Sequence, residues 1–152
     1  MTYTFRKAAL GDVDALLKLR KDFMACFGPL DEKGVEALGN YEAFLVEGIA
    51  DGSFVQWLAE FENEIAATGS VSFYRLPPTG RRPNGREAYI GNMFTYPAHR
   101  NRGLAAKLLR LLAEEARAAG CRAILLHTSE QGRPLYEAFG FEPTDSMMEY
   151  KF

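Results

Sequence analysis

The chain has 152 residues, and its 18 basic and 20 acidic side chains leave a net charge of −2. With 47% hydrophobic residues, a chain of this length can bury about two thirds of its unfolded surface without a metal or disulfide staple, so we expect one domain over residues 1–152. Because the charges are balanced, the protein has no overall positive field that would attract nucleic acid, and we expect no nucleic-acid partner. No stretch reaches the roughly 18 apolar residues that cross a bilayer, so we expect no membrane partner either.

The N-terminal half is predicted to contain a strand, two helices and a hairpin. The alternating side-chain pattern of residues 3–8 predicts a strand, and a helix is expected to follow with Asp12 at its N-cap position. A second helix is expected over residues 34–52, and two apolar runs around the polar segment 62–64 predict a hairpin over 54–76. The N-terminus lacks the apolar core of a signal peptide, which favours a cytoplasmic location.

The C-terminal half is predicted to continue with alternating strands and helices. Residues 76–87 are rich in proline, glycine and arginine, which indicates an exposed loop before a strand at 88–96. Leucines at three- and four-residue steps predict a long helix that begins at Leu104 and is stopped by Gly120.

The apolar run at residues 124–126 has no polar alternation, which is typical of a central strand covered on both faces. A strand, a helix and a second strand in this order predict a parallel crossover. A short helix stopped by Gly140 and a last strand are expected to complete the chain.

Cys26 and Cys121 form no CxxC motif, and the chain has only two histidines. This pattern indicates neither a disulfide framework nor a metal site. We expect both cysteines to be small residues of the core.

A cationic cluster precedes the long helix, with Arg100 and Arg102 followed by Gly103. The first turn of a helix leaves four backbone N–H groups unpaired and carries about half a positive charge, so an anion is favoured there. Gly103 allows close backbone approach, and the two arginines make a pyrophosphate a better match than a single carboxylate. The alternative is a solvated helix start that binds nothing.

The sequence resembles the GNAT superfamily of N-acetyltransferases at this cluster. The acyl-CoA loop of that family reads Arg or Gln, two residues, Gly, one residue, and Gly or Ala. Its counterpart here consists of Arg100, Asn101, Arg102, Gly103, Leu104 and Ala105. Upstream, "MFTYPAHR" resembles the family's fourth strand and its proline-marked exit, and downstream, "PLYEAFGF" resembles its tyrosine, short helix and glycine-phenylalanine ending.

The resemblance implies an α/β (mixed α+β) fold in which a twisted mixed sheet of about six or seven strands is flanked by about four helices. The fourth and fifth strands would be parallel and splayed to form a groove for acetyl-CoA, the co-substrate. The motifs lie between residues 88 and 141, and the N-terminal half of the chain is generic.

The resemblance also implies site roles for acetyl transfer from the thioester to a primary amine. Backbone groups of Met93, Phe94 and Thr95 would bind the oxyanion and the pantetheine amides. Tyr136 would protonate the leaving thiolate or only hydrogen-bond the sulfur. Ser129 stands where many family members have an asparagine that holds the CoA arm.

The acceptor half of the site is left open by the sequence. Glu87, His127 and Glu130 are candidate bases by position, and none is preferred, while Asn92 is a candidate to orient the amine or a water. The acceptor is expected against the first two helices and the loop at 76–87. The arginines of this loop would either attract an acidic acceptor or be solvated; they are Arg81, Arg82 and Arg86.

Three functions remain open at this point: an amine acetyltransferase, a non-catalytic acyl-CoA-binding module, and a phosphate-binding nucleotide domain. The third is weakest because neither GxxxxGK[ST] nor GxGxxG is present. Exposed strand edges favour a homodimer.

Overall fold

The structure is a computed structural model that describes residues 1–152. It contains five strands and four α-helices, in the predicted order up to the last helix. Their bounds are β1 Thr4–Lys7, α1 Val13–Ala25, α2 Glu32–Asp51, β2 Phe54–Phe61, β3 Glu64–Arg75, β4 Arg86–Thr95, α3 Leu104–Ala118, β5 Ile124–Leu126 and α4 Arg133–Phe139. None of the helices is both long and apolar enough to cross a membrane.

The strands form one mixed sheet in the order β1-β2-β3-β4-β5. Neighbours are antiparallel from β1 to β4, whereas β4 and β5 are parallel and joined through α3. The predicted parallel crossover is therefore confirmed.

The sheet has five strands and not the predicted six or seven, because no strand follows α4. Large apolar residues occupy every second position near the C-terminus, at Met148, Tyr150 and Phe152, but they are exposed and pack on no buried face. The prediction of a last strand was wrong because alternation specifies a strand only where one face has a partner.

Helices cover both faces of the sheet, and the side chains of each strand alternate between the two faces. One face packs on α1 and α2 through a cluster that consists of Val13, Leu16, Leu19, Leu45, Phe54, Leu58 and Phe94. The other packs on α3 and α4 through Val71, Ala88, Ile90, Leu109, Leu112, Ala116 and Tyr136. Each fully buried Leu contributes about 1.5–3 kcal/mol relative to an exposed one, so these two clusters fix the helices on the sheet.

The two cysteines are free and differ in burial. Cys121 is half-buried against the α3 side of the core, as predicted. Cys26 is exposed, so its prediction as a core residue was wrong; it occupies the C-cap position of α1.

Candidate active site

The parallel strands β4 and β5 separate after a short stretch of pairing. Only residues 88–90 of β4 pair with β5, although β4 continues to Thr95. The edge of β4 beyond Ile90 therefore has no partner from β5, which confirms the predicted splay. On its other side, β4 has a register shift against β3, and Asn92 adopts a left-handed backbone with φ of 55°.

A cavity of about 630 Å³ lies at this opening. Its lining comes from both faces of the sheet, with Phe23 and Tyr41 contributed by α1 and α2, and Gly132 and Tyr136 contributed by the segment that ends in α4. No residue of the loop at 76–87 lines it. The cavity therefore connects the surface of the α1–α2 layer with α4 through the gap in the sheet.

Tyr136 lies in α4, and its side chain packs against Phe141 with 5.7 Å between ring centroids. The residue is 8% exposed, and its hydroxyl makes no hydrogen bond within the chain. Burial, with a smaller contribution from Tyr89, raises the pKa of the Tyr136 phenol. The hydroxyl is thus a protonated donor without a partner at the wall of the cavity.

The loop before α3 presents a row of unpaired backbone donors. Asn101 and Gly103 both have left-handed backbones, with φ of 58° and 76°. The N–H groups of residues 101–103 have no acceptor in the chain, and the first turn of α3 adds further free N–H groups. Successive free N–H groups of this kind favour an anion, so a role for the loop in binding pyrophosphate stays a prediction.

The side chains of the loop at residues 100–105 differ in their contacts and in their burial. Arg100 donates from Nε to the Thr95 carbonyl at 3.1 Å, and Arg102 makes only a long contact of 3.5 Å with the Ala98 carbonyl. Leu104 is buried under the helix and fixes the loop to the core, while Ala105 is half-buried. The guanidinium of Arg102 is therefore largely free to meet a ligand.

Ser129 precedes α4 and lines the cavity. Its hydroxyl oxygen accepts a hydrogen bond from the backbone N–H of Gly132 at 3.2 Å. The hydroxyl proton remains available for a ligand, so the substitution of serine for the family's asparagine keeps one donor at this position.

The predicted β4 residues lie where the strand leaves β5. Phe94 is buried beneath α1, whereas Met93 lines the cavity and its sulfur packs near Gly69, where an added Cβ would lie 2.5 Å from the sulfur. Thr95 is half-buried at the end of the strand. The structure therefore brings Met93, Ser129 and Tyr136 to one cavity, with the loop at 100–105 beyond the end of β4.

The candidate bases are separated by the structure. Glu87 is buried and forms an ion pair with Arg82, and it does not line the cavity. Glu130 is exposed outside it. His127 alone lines it, with 2.7 Å between its Nδ1 and the Tyr89 hydroxyl.

A polar cluster on the α1–α2 side was not predicted as a unit. The Nη1 of Arg20 donates to Oδ1 of Asn92, and Nδ2 of Asn92 donates to the hydroxyls of Tyr41 and Ser70, each at 3.0 Å. Asn92 was predicted to orient the amine or a water, and it lines the cavity. The available signal for Arg20 was a cation four residues after the buried Leu16, on the apolar stripe of α1.

Comparison with known proteins defines the class of this fold and site. The chain belongs to the acetyltransferase (GNAT) family, whose family model matches residues 16–141. Family membership makes it an acetyl-CoA-dependent N-acetyltransferase, and a non-catalytic module or an unrelated nucleotide domain is thereby disfavoured.

Particular relatives cover nearly the whole chain. A predicted acetyltransferase of Clostridium acetobutylicum, solved with acetyl-CoA, is 32% identical, has a TM-score of 0.91, and the match covers 99% of this chain and 96% of that one. The uncharacterized N-acetyltransferase YjgM of Escherichia coli strain K12 is 28% identical over 143 residues, 92% of this chain and 82% of the relative. A GCN5-related N-acetyltransferase of Ralstonia eutropha shares the fold with a TM-score of 0.87 at 24% identity, and the match covers 99% of each chain.

Proposed function

We propose that this enzyme transfers the acetyl group to a primary amine of a small molecule or a peptide, and that the amine attacks the thioester directly at the β4–β5 opening. The observation that supports this most strongly is the position of the cavity, which joins the α1–α2 surface to Tyr136 on the opposite face of the sheet. A donor and an acceptor that approach from the two sides meet at the opening, where the reacting atoms are held close.

The proposed donor site begins at the loop before α3. The free N–H groups of Asn101, Arg102 and Gly103 and those of the first helical turn, at Leu104 and Ala105, point to a pyrophosphate. Arg102 adds a charge-assisted contact. Arg100 acts mainly through the Thr95 carbonyl, so its role is to hold the loop against the end of β4.

The pantetheine arm is proposed to run along the free edge of β4. Backbone groups at Met93, Phe94 and Thr95 would pair with its amides in place of the missing strand, and Ser129 would donate from the facing side. A backbone N–H at this edge would stabilise the oxyanion of the tetrahedral intermediate.

In the reaction, the amine nitrogen bonds to the thioester carbonyl carbon, the C–S bond breaks, and the nitrogen loses one proton while the thiolate leaves. The raised pKa of Tyr136 keeps its phenol protonated, so complete transfer to a thiolate of pKa about 8.5 is uphill. We assign Tyr136 as the donor that hydrogen-bonds the leaving sulfur and lowers the energy of its negative charge.

The amine must lose its proton in a cavity that no carboxylate lines. A lysine-like amine of pKa about 10.4 is neutral about once in 2500 at pH 7, a cost of about 4.6 kcal/mol, whereas an α-amine of pKa about 7.8 costs about 1 kcal/mol. We propose His127 as the acceptor of this proton. In the tautomer whose Nδ1–H donates to the Tyr89 hydroxyl, the Nε2 lone pair of His127 is free.

A panel of primary amines assayed with acetyl-CoA for free thiol tests this function. Thiol release that requires an amine, together with the acetylated amine in mass spectra, supports direct N-acetyl transfer. Release without an amine, or release that persists unchanged in Tyr136→Phe, would argue against the proposed site.

The location and the oligomeric state of the enzyme are two further proposals. We propose a cytoplasmic location, as inferred from the N-terminal sequence. We also propose a homodimer, because β1 and β5 each have one unpaired edge. Sedimentation at two concentrations distinguishes a dimer from a monomer.

A further inference from the structure

The acceptor side of the cavity carries an unusual charge distribution. Its ionisable side chains are one arginine, one histidine and three tyrosines, and no Asp or Glu lines it. The arginine is Arg20, on the wall formed by α1 and α2. The cavity thus contains a fixed positive charge and no negative one.

Arg20 is half-buried and makes no ion pair with any carboxylate of the chain. Its guanidinium carbon lies 5.4 Å from the ring centroid of Phe23 and 5.3 Å from that of Tyr41. One of its nitrogens donates to Asn92, and the remaining N–H donors have no partner in the chain. A guanidinium has five such donors in a planar fork that matches a carboxylate or a phosphate.

The neighbours of Arg20 do not supply a compensating charge. Burial is the main influence on Tyr41 and raises the pKa of its phenol despite the nearby guanidinium, so this hydroxyl stays neutral. The hydroxyl of Ser70 and the amide of Asn92 are neutral too. The two aromatic faces attract the guanidinium but carry no negative charge, and only one of its donors is used within the chain, so an anionic ligand group is the partner that fits the remaining donors.

We propose that the acceptor is a small primary amine that also carries an anionic group, a carboxylate or a phosphate, which Arg20 binds while the amine is directed towards the β4–β5 opening. This inference rests on the proposed function, since it concerns the acceptor half of the same cavity. It disfavours acceptors with several further ammonium groups, because Arg20 repels them and no carboxylate in the cavity attracts them.

Matched acceptor pairs that differ only in the anion test this specificity. Phenylalanine is compared with phenylalaninamide, and glucosamine 6-phosphate with glucosamine, in the parent, in Arg20→Gln and in Lys21→Gln. Lys21 is the exposed neighbour on α1 and lies outside the cavity, so its variant removes one charge from the same helix. The two amines of a pair differ in pKa, but this difference is the same for every variant, so a change in the preference between variants does not come from it.

In the parent, kcat/KM should favour the anionic member of at least one pair by about 10-fold or more, the effect of one charge-assisted hydrogen bond. Arg20→Gln should reduce that preference to about threefold or less, because kcat/KM falls more for the anionic member than for the neutral one, while KM for acetyl-CoA changes by less than about threefold. Lys21→Gln should keep the preference. Which pair responds identifies the anion as a carboxylate or a phosphate.

Three results would overturn the inference: no anionic preference in the parent, a preference that persists in Arg20→Gln, or an equal loss for both members of a pair, which indicates that Arg20 only holds Asn92 in place. A neutral amine that is acetylated without anionic preference leaves the proposed function standing. If no amine releases thiol, the proposed function fails. Calorimetric titration of the same pairs against the protein with CoA then tests the inference, by comparing the affinity of the anionic and the neutral member in the parent and in Arg20→Gln. Circular dichroism verifies that each variant is folded.

Discussion

Tyr136 combines burial with a hydroxyl that has no partner in the chain, at the wall of the reaction cavity. Replacing Tyr136 with Phe removes the proposed donor to the leaving sulfur and leaves the ring packing intact. We expect kcat to fall by about 100-fold, in the range of one lost hydrogen-bond donor to a developing negative charge, with acetyl-CoA affinity nearly kept. Rapid thiol assays and calorimetry measure the two quantities separately.

The direction of the pKa shift of Tyr136 predicts how its protonation, and therefore kcat, depends on pH. The pKa of Tyr136 in the fold lies above its ordinary value near 10, so the phenol stays protonated through the neutral range and deprotonates only above about pH 10. An alkaline fall in kcat that begins well below that pH and disappears in Tyr136→Phe would contradict this assignment.

His127 is the residue whose proposed role depends on the acceptor. In His127→Gln, kcat/KM for a lysine-like amine should fall by about 10- to 100-fold more than for an α-amine, because the former must lose a more tightly held proton. Glu130→Gln is the matched control, since Glu130 is exposed and lies outside the cavity. Equal losses for both amines in His127→Gln would indicate a structural role through Tyr89.

Some of the residues that were predicted from a contiguous motif line the cavity, and their roles stay predictions. Tyr136 and Ser129 were picked by resemblance and lie in the cavity. The position of Arg20 in the cavity was not predicted because Arg20 contacts Asn92 across 72 positions in the chain, and no local pattern encodes such a contact. Glu87 was named as a candidate base from its place at a strand start, but its side chain faces Arg82 and not the cavity.

Among the elements, α2 lies close to β2 because it has a glycine at the contact. A Cβ added at Gly48 would lie 2.6 Å from the Cβ of Phe54, which cannot move without the strand. We expect Gly48→Ala to lower the free energy of unfolding by about 1–2 kcal/mol, since overpacking exceeds the gain in helix propensity. Urea denaturation measures the change.

The same helix provides the control for this prediction. A Cβ at Gly39 meets no atom within 4 Å, so Gly39→Ala should raise the free energy of unfolding by up to about 1 kcal/mol through helix propensity alone. Equal effects of the two substitutions would show that the α2–β2 approach is looser than described.

Helices and strands could be predicted where the local sequence pattern alone specified them. The leucine period of α3 and the glycine after it specified a helix, and the unbroken apolar run of β5 specified a covered strand. The expected strand after Gly140 failed because its apolar residues require a partner that the fold does not provide. Strand pairing is a property of the assembled sheet, so a short terminal segment is the element that local pattern specifies least.

For the whole molecule, a net charge of −2 gives no long-range attraction for a polyanionic donor. In the proposed donor site, attraction comes from the loop before α3, where exposed Arg102 lies beside the free N–H groups. Exposed charges are screened beyond about 10 Å at 0.1 M salt, so donor binding should be sensitive to ionic strength.

Arg102→Ala should therefore weaken acetyl-CoA binding by about 10- to 100-fold, the loss of a charge-assisted contact of about 1.5–3 kcal/mol, and affinity should fall less steeply with salt than in the parent. Arg110→Ala is the control, because Arg110 is exposed on α3 beyond its first turn and should leave the affinity nearly unchanged. Calorimetric titration over a salt series measures both quantities. If folded Arg102→Ala binds acetyl-CoA with the parent's affinity and salt slope, the backbone N–H groups of the loop bind the pyrophosphate without the arginine, and the local-charge account of donor capture is wrong.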